Sequence, residues 1–138
     1  MTTAHYRFCH ATLLLVGAGF ATLTQAAAPS GYSPAYDSCI SAVSTTRGMI
    51  DCAAAETRLQ DARLNANYQS GIKALDAGQR TAMRDVQRLW IRFRDADCAL
   101  AGSLTGGSID HVNAQMCLLQ ATKARADLLG ERFGPQAR

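Results

Sequence analysis

The clearest periodicity along the chain runs through Met83, Val86, Leu89, Trp90, Phe93, Ala96 and Leu100, apolar positions recurring at steps of three and four residues. That spacing makes one apolar stripe on an α-helix, predicted from about Gln79 to Leu100, and points the stripe at the core. A second long helix is predicted from Met49 to about Asp76, where Ala, Leu, Arg, Gln and Glu dominate without proline. Its apolar positions form two sets. Cys52, Ala55, Leu59, Ala62 and Ala66 follow one face, while Leu64, Tyr68, Ile72 and Leu75 follow nearly the opposite one, so this helix is expected to change packing partners along its length.

Shorter signals place the remaining elements. Ser33 before Pro34 is a good helix start, because proline's missing N–H costs nothing in a first turn, and a helix is predicted from about Pro34 to Ser44. Thr45-Thr46-Arg47-Gly48 breaks the pattern, Gly71 weakens the second helix locally, and "DAGQ" at 76–79 is the expected turn. After the glycine-rich loop "GSLTGGS" at 102–108, Ser108 is the expected N-cap of a last helix marked by Val112, Met116, Leu119, Ala126 and Leu129. Gly130 should end it, with Pro135 beyond. No segment alternates like a strand. The expected fold class is therefore all-α: a small antiparallel bundle of about four helices.

Composition adds a compartment. Residues 1–28 run from a segment carrying Arg7 through an apolar stretch, Ala11 to Ala21, to the small residues Gln25-Ala26-Ala27-Ala28, the order of a cleaved secretory signal peptide. The apolar stretch is shorter than the roughly 18–20 residues a spanning helix needs, so no stable membrane insertion is expected after cleavage at 26–28. The domain proper is then 29–138, in the periplasm or outside a bacterial cell. Cleavage takes only Arg7 from the 14 basic residues, leaving 13 against 11 acidic ones; this near balance gives no electrostatic footprint for nucleic acid.

Cleavage also removes Cys9 and leaves Cys39, Cys52, Cys98 and Cys117, an even count that reads as two disulfides in a small exported domain. Four cysteines allow three pairings. Cys39 with Cys52 and Cys98 with Cys117 is favoured, because each pair spans one predicted helix junction. No spacing is CxxC, and neither a metal nor a cofactor is expected.

The stretch "QRLWIRFRDADC", residues 87–98, concentrates the chemistry of the chain. Trp90 and Phe93 fall on the predicted core stripe. Arg80, Arg84, Arg88 and Arg92 form a basic ridge at four-residue steps, with Asp76–Arg80, Asp85–Arg88 and Arg92–Asp95 at helix-neighbour spacing. Arg94 lies beside the core stripe near Asp97, and Arg94, Asp95, Tyr68 and Arg125 join Trp90 and Phe93 as expected structural residues. Catalysis has little to work with. His111 is the one histidine after residue 28, and nothing beside it in the sequence marks it as a catalytic base. Asp95 and Asp97, two apart on a helix, do not make a carboxylate pair. "GGS" at 106–108 has neither the lysine nor the strand of a P-loop. The expectation is a binding protein rather than an enzyme.

The order Cys39, Cys52, "LNANY" at 64–68, "QRLWIRFRDADC", "GGS", Cys117 and "TKAR" at 122–125 followed by Leu128-Leu129 resembles the lysozyme-inhibitor LprI-like family of small exported bacterial proteins. The similarity runs from about Cys39 to Leu129, and Gln87, Trp90, Arg94, Asp95 and Cys98 are its most specific element. The resemblance implies an exported helical module with disulfides and, as partner, a c-type lysozyme whose cleft it would occlude. The ridge Arg80, Arg84, Arg88, Arg92 and the loop from Ser103 to Ser108 are the residues expected to meet that partner. The alternative expectation is an envelope module that binds another protein or the cell-wall polymer without inhibiting lysozyme.

Overall fold

Helix starts are written into capping side chains. In the computed structural model, which describes residues 31–135, Ser33 Oγ accepts from the Tyr36 N–H and opens α1 (Pro34–Ala42), with Pro34 in the first turn. Thr45 Oγ1 accepts from the Gly48 N–H at 3.1 Å and opens α2 (Thr46–Ala74). The stretch from Thr45 to Gly48, expected as a break, is thus a cap and a first turn. Asp76 and Gln79 form a reciprocal capping box at the start of α3 (Ala77–Ala101). Ser108, expected to cap α4 (Ile109–Phe133), makes no side-chain cap bond. The signal peptide expected over residues 1–28 lies outside the described residues.

α4 also continues through Gly130, which was expected to end it, and stops where the Gly134 N–H donates to the Gly130 carbonyl at 2.8 Å. Gly130 serves close approach instead. A Cβ there would lie 2.9 Å from Asn67 Nδ2, the group that donates to the Ala126 carbonyl at 2.9 Å. Gly71 in α2 does the same for the Phe133 ring, which a Cβ would meet at 2.8 Å. Together they let α2 and α4 run close.

Successive helices reverse direction, so α2 and α4 are parallel to each other: Thr57 matches Gln115, Asn67 matches Ala126 and Gly71 matches Phe133. α3 runs against α4, pairing Gln87 with Arg125 and Cys98 with Cys117. α4 touches both long neighbours, and α1 lies on α2. One buried cluster joins Tyr36, Cys52, Ala53 and Leu119, with Tyr32, Cys39, Ile40, Val43 and Met116 against it. The other joins Leu64, Ala126 and Leu129, with Tyr68, Met83, Trp90 and Phe133 against it. The favoured pairing holds: Cys39–Cys52 ties α1 to α2 and Cys98–Cys117 ties α3 to α4.

The buried faces differ from the expected ones. On α2 the seam is Cys52, Ala53, Glu56, Gln60, Leu64 and Gly71, whereas Ala55, Leu59, Ala62 and Ala66 are exposed. On α3 the buried residues are Gln87 and Cys98, flanked at helical spacing by the half-buried Arg80, Met83, Trp90 and Arg94. Val86, Leu89, Phe93 and Leu100 are instead 50, 56, 66 and 58% exposed. Phe93 is therefore not a core residue. The physical reason is that polar side chains which find partners, Gln87 and Arg94, occupy the seam, so the more apolar face of α3 is not the one that packs on α4.

This assignment is checkable by urea unfolding at low protein concentration. Leu119→Ala, at a fully buried site, should cost about 2–5 kcal/mol. Leu89→Ala should change stability by less than about 0.5 kcal/mol; equal losses would return the Val86–Leu89–Phe93 stripe to the core.

Candidate functional site

The seam of α3 fixes the arginines of the quoted stretch. Two guanidinium groups lie over the Trp90 ring, Arg94 at 5.0 Å and Arg125 of α4 at 5.7 Å from its centroid, and the second of these cation–π contacts joins the two helices. Arg125 Nε donates to the buried Gln87 Oε1 at 3.1 Å. Burial and the neighbouring Arg132 lower the Arg125 pKa from the ordinary arginine value. Arg94 donates through Nε and Nη2 to Asp95 Oδ1 rather than to the nearby Asp97. Asp95 itself is exposed and acts as the outer partner of Arg94 rather than as a core group.

The basic ridge is shorter than expected. Arg80 is half-buried, and its Nη1 donates to the Leu75 carbonyl at 2.8 Å across the α2–α3 turn rather than pairing with Asp76, while Asp95 pairs with Arg94 rather than with Arg92. Of the three expected neighbours only Asp85–Arg88 comes together, at 3.5 Å between exposed groups. Arg84, Arg88 and Arg92 remain the solvent-facing cations of the ridge.

The loop at 102–108 is built inward. The Asp110 carboxylate, 4% exposed, accepts from Thr105 N and Oγ1 and from Gly106 N at 2.8–3.2 Å. Burial pushes this carboxyl upward, but those bonds and one from Asn113 outweigh it and leave the pKa below the ordinary aspartate value. Backbone N–H groups that could have cradled an external anion are thus already occupied by a side chain of the same chain. Ser103 Oγ donates to the Leu100 carbonyl, which leaves Ser108 as the loop's outward-facing hydroxyl near α4. His111 is exposed at the same end of α4. Asp97, Cys98 and Cys117 lie together, yet both sulfurs are consumed in a disulfide and offer no thiolate to a metal.

A buried carboxylate network escaped sequence reasoning. Glu56, 1% exposed, accepts from Ser33 N at 3.2 Å, Ser33 Oγ at 2.6 Å and Gln60 Nε2 at 2.6 Å. Gln60 Oε1 accepts from Arg63 Nη1, and Arg63 Nη2 pairs with Asp127 Oδ1 at 2.8 Å, with Lys123 on the other Asp127 oxygen. The network therefore runs from the cap of α1 across α2 to α4. Its signal was the four-residue step from Glu56 to Gln60, in phase with Cys52 and Leu64 on one helical face.

Comparison with known proteins follows the same residues. The family model described as "Lysozyme inhibitor LprI" matches residues 37–129. An uncharacterised protein of Rhizobium meliloti (strain 1021) is 33% identical over 94 residues, covering 58% of this chain and 68% of the relative. No solved structure matches.

Burial raises the Glu56 carboxyl pKa, and hydrogen bonds from Ser33 and Gln60 with the charge of Arg63 more than reverse it, so the folded-state value is lowered. A lowered pKa stabilises the fold above the unfolded-state value of about 4.3 and loses that stabilisation as pH falls through the folded-state value. Glu56→Gln should accordingly lower Tm at pH 7, and the gap to the parent protein should narrow in acid. A gap independent of pH between neutral and acid conditions would show that the charge of Glu56 is not what holds Ser33.

Proposed function

Because the chain belongs to the lysozyme inhibitor LprI family, we propose that it is an exported binding protein that inhibits lysozyme by covering the enzyme's cleft. The family match over residues 37–129 carries this reading, and the family is one of inhibitors rather than enzymes. Export to the periplasm is supported by the two disulfides, which persist in oxidising compartments, and by the signal-like order of residues 1–28.

The contact face follows from the enzyme's chemistry. Lysozyme works with two carboxyl groups in its cleft, and guanidinium groups bind carboxylates through charge-assisted hydrogen bonds. Arg80, Arg94 and Arg125 are engaged inside the protein and Arg92 stands at the edge of the exposed apolar face of α3, so Arg84 and Arg88 on the open side of α3 are the groups proposed for that contact, with Ser108 as a neighbouring-loop hydroxyl. The formal charge of +3 for the whole sequence gives no long-range attraction to a cationic enzyme. Recognition would rest on contact and shape rather than on steering.

The oxidised protein titrated into a cell-wall lysis assay should inhibit a c-type lysozyme at near-stoichiometric ratio. An Arg84→Glu/Arg88→Glu variant should bind at least about tenfold more weakly with its helical circular dichroism unchanged. Undiminished inhibition by that variant would remove this face from the contact. If neither c-type nor g-type lysozyme is inhibited or complexed at micromolar concentration, the inhibitor reading itself fails.

A further inference from the structure

Val86, Leu89, Phe93 and Leu100, all exposed, share one face of α3, and Ala82 and Ala96, also exposed, complete it at alternating steps of four and three residues. This is a heptad seam, with Val86, Phe93 and Leu100 at one core position and Ala82, Leu89 and Ala96 at the other. At 100° per residue it lies roughly 120° around α3 from the face that packs on α4. A continuous apolar stripe of this kind on a small soluble domain marks a surface that becomes covered.

Charge indicates what covers it. Asp85 and Arg92 stand one heptad apart on the edge of the stripe remote from α4. Among the described residues Arg92 has no carboxylate within ion-pair distance. Asp85 has only the 3.5 Å contact with Arg88, between side chains 61 and 70% exposed, which is worth little. An edge carrying one acid and one base a heptad apart is complementary to itself when turned end for end.

We infer that the stripe binds a second copy of the chain, α3 against α3, antiparallel about a two-fold axis. Three registers keep at least four apolar pairs facing each other. In the first, Leu89 meets Phe93 of the other copy, and Arg92 faces Arg92 across the axis. In the second, Phe93 meets Ala96 and Leu89 meets Leu100, and Arg92 faces Ala99. In the third, Val86 meets Leu89 and Ala82 meets Phe93, and Asp85 of each copy faces Arg92 of its mate, twice. Two ion pairs, in place of a like-charge contact or of none, select the third register. Two-fold symmetry closes the assembly, because each stripe is used once and none is left to recruit a third copy. Arg84 and Arg88 fall outside this interface, so the inference does not depend on the inhibitor reading.

Sedimentation velocity of the oxidised protein across the micromolar range tests it. The expected result is a monomer–dimer equilibrium. Phe93→Glu should abolish the dimer while keeping the monomer's helicity, since Phe93 supports no buried cluster. Asp85→Arg and Arg92→Asp should each weaken dimerisation about tenfold or more, and the double reversal should restore it. A protein that stays monomeric throughout overturns the inference, including one whose stripe is protected only when lysozyme is added. A dimer that ignores Phe93→Glu overturns it too, and single reversals without effect, or a double reversal without rescue, overturn the register.

Discussion

The covalent links between helices carry a share of stability that the apolar core is too small to supply alone. Among the described residues the buried hydrophobic set contains four large aliphatic side chains, Leu64, Val112, Leu119 and Leu129, and two of its other members are the half-cystines Cys52 and Cys98. The bridges span 13 and 19 residues of sequence, so each should contribute about 3 kcal/mol by restricting the unfolded chain. That is comparable to fully burying one large aliphatic side chain. α1, nine residues long, could not persist alone; Cys39–Cys52 and the Ser33–Glu56 bonds keep it on α2.

Around these links the interior is unusually polar for a helical domain. Glu56, Gln60, Gln87, Asp110 and Thr122 are buried, and leaving such groups without partners would cost more than their burial returns. Four of the five are satisfied: Glu56 and Gln60 by each other, Ser33 and Arg63, Gln87 by Arg125, and Asp110 by the loop that precedes it. The Thr122 hydroxyl is buried without a partner. Because each satisfied group accepts only one geometry, these contacts fix which face of each helix turns inward, a job hydrophobicity alone leaves open on α2 and α3. The cation–π contacts of Trp90 extend the same logic to the α3–α4 seam.

That division explains what the sequence disclosed. Four helices, the cap at Ser33 and both favoured disulfide pairings were legible, because capping chemistry and cysteine spacing act over a few residues, whereas Asp76, expected in a turn, proved to be a cap. The inward faces were not. A rule that ranks positions by hydrophobicity chooses Val86, Leu89 and Phe93 over Gln87 and Arg94, and Ala55 and Leu59 over Glu56 and Gln60, since it has no knowledge of the partners waiting on other helices. The most specific part of the family resemblance nevertheless contained the answer: Gln87, Trp90, Arg94 and Cys98 are themselves spaced by three, four and four, and Gln87, Trp90 and Cys98 meet Arg125 and Cys117 of α4. The loop closure on Asp110 was half visible: a carboxylate in the first turn of α4 suits the positive helix end, but its grip on Thr105 and Gly106 depends on the path of the loop.

The connectivity of the bridges bears on how the chain acquires its shape. Each half-cystine pairs with the next one along, 39 with 52 and 98 with 117, so a chain without Cys9 entering an oxidising space amino end first would offer the second thiol of each pair its native mate before any competitor. Sulfur pairing in order of arrival would need no reshuffling, and the first hairpin could be locked while the last helix was still to come.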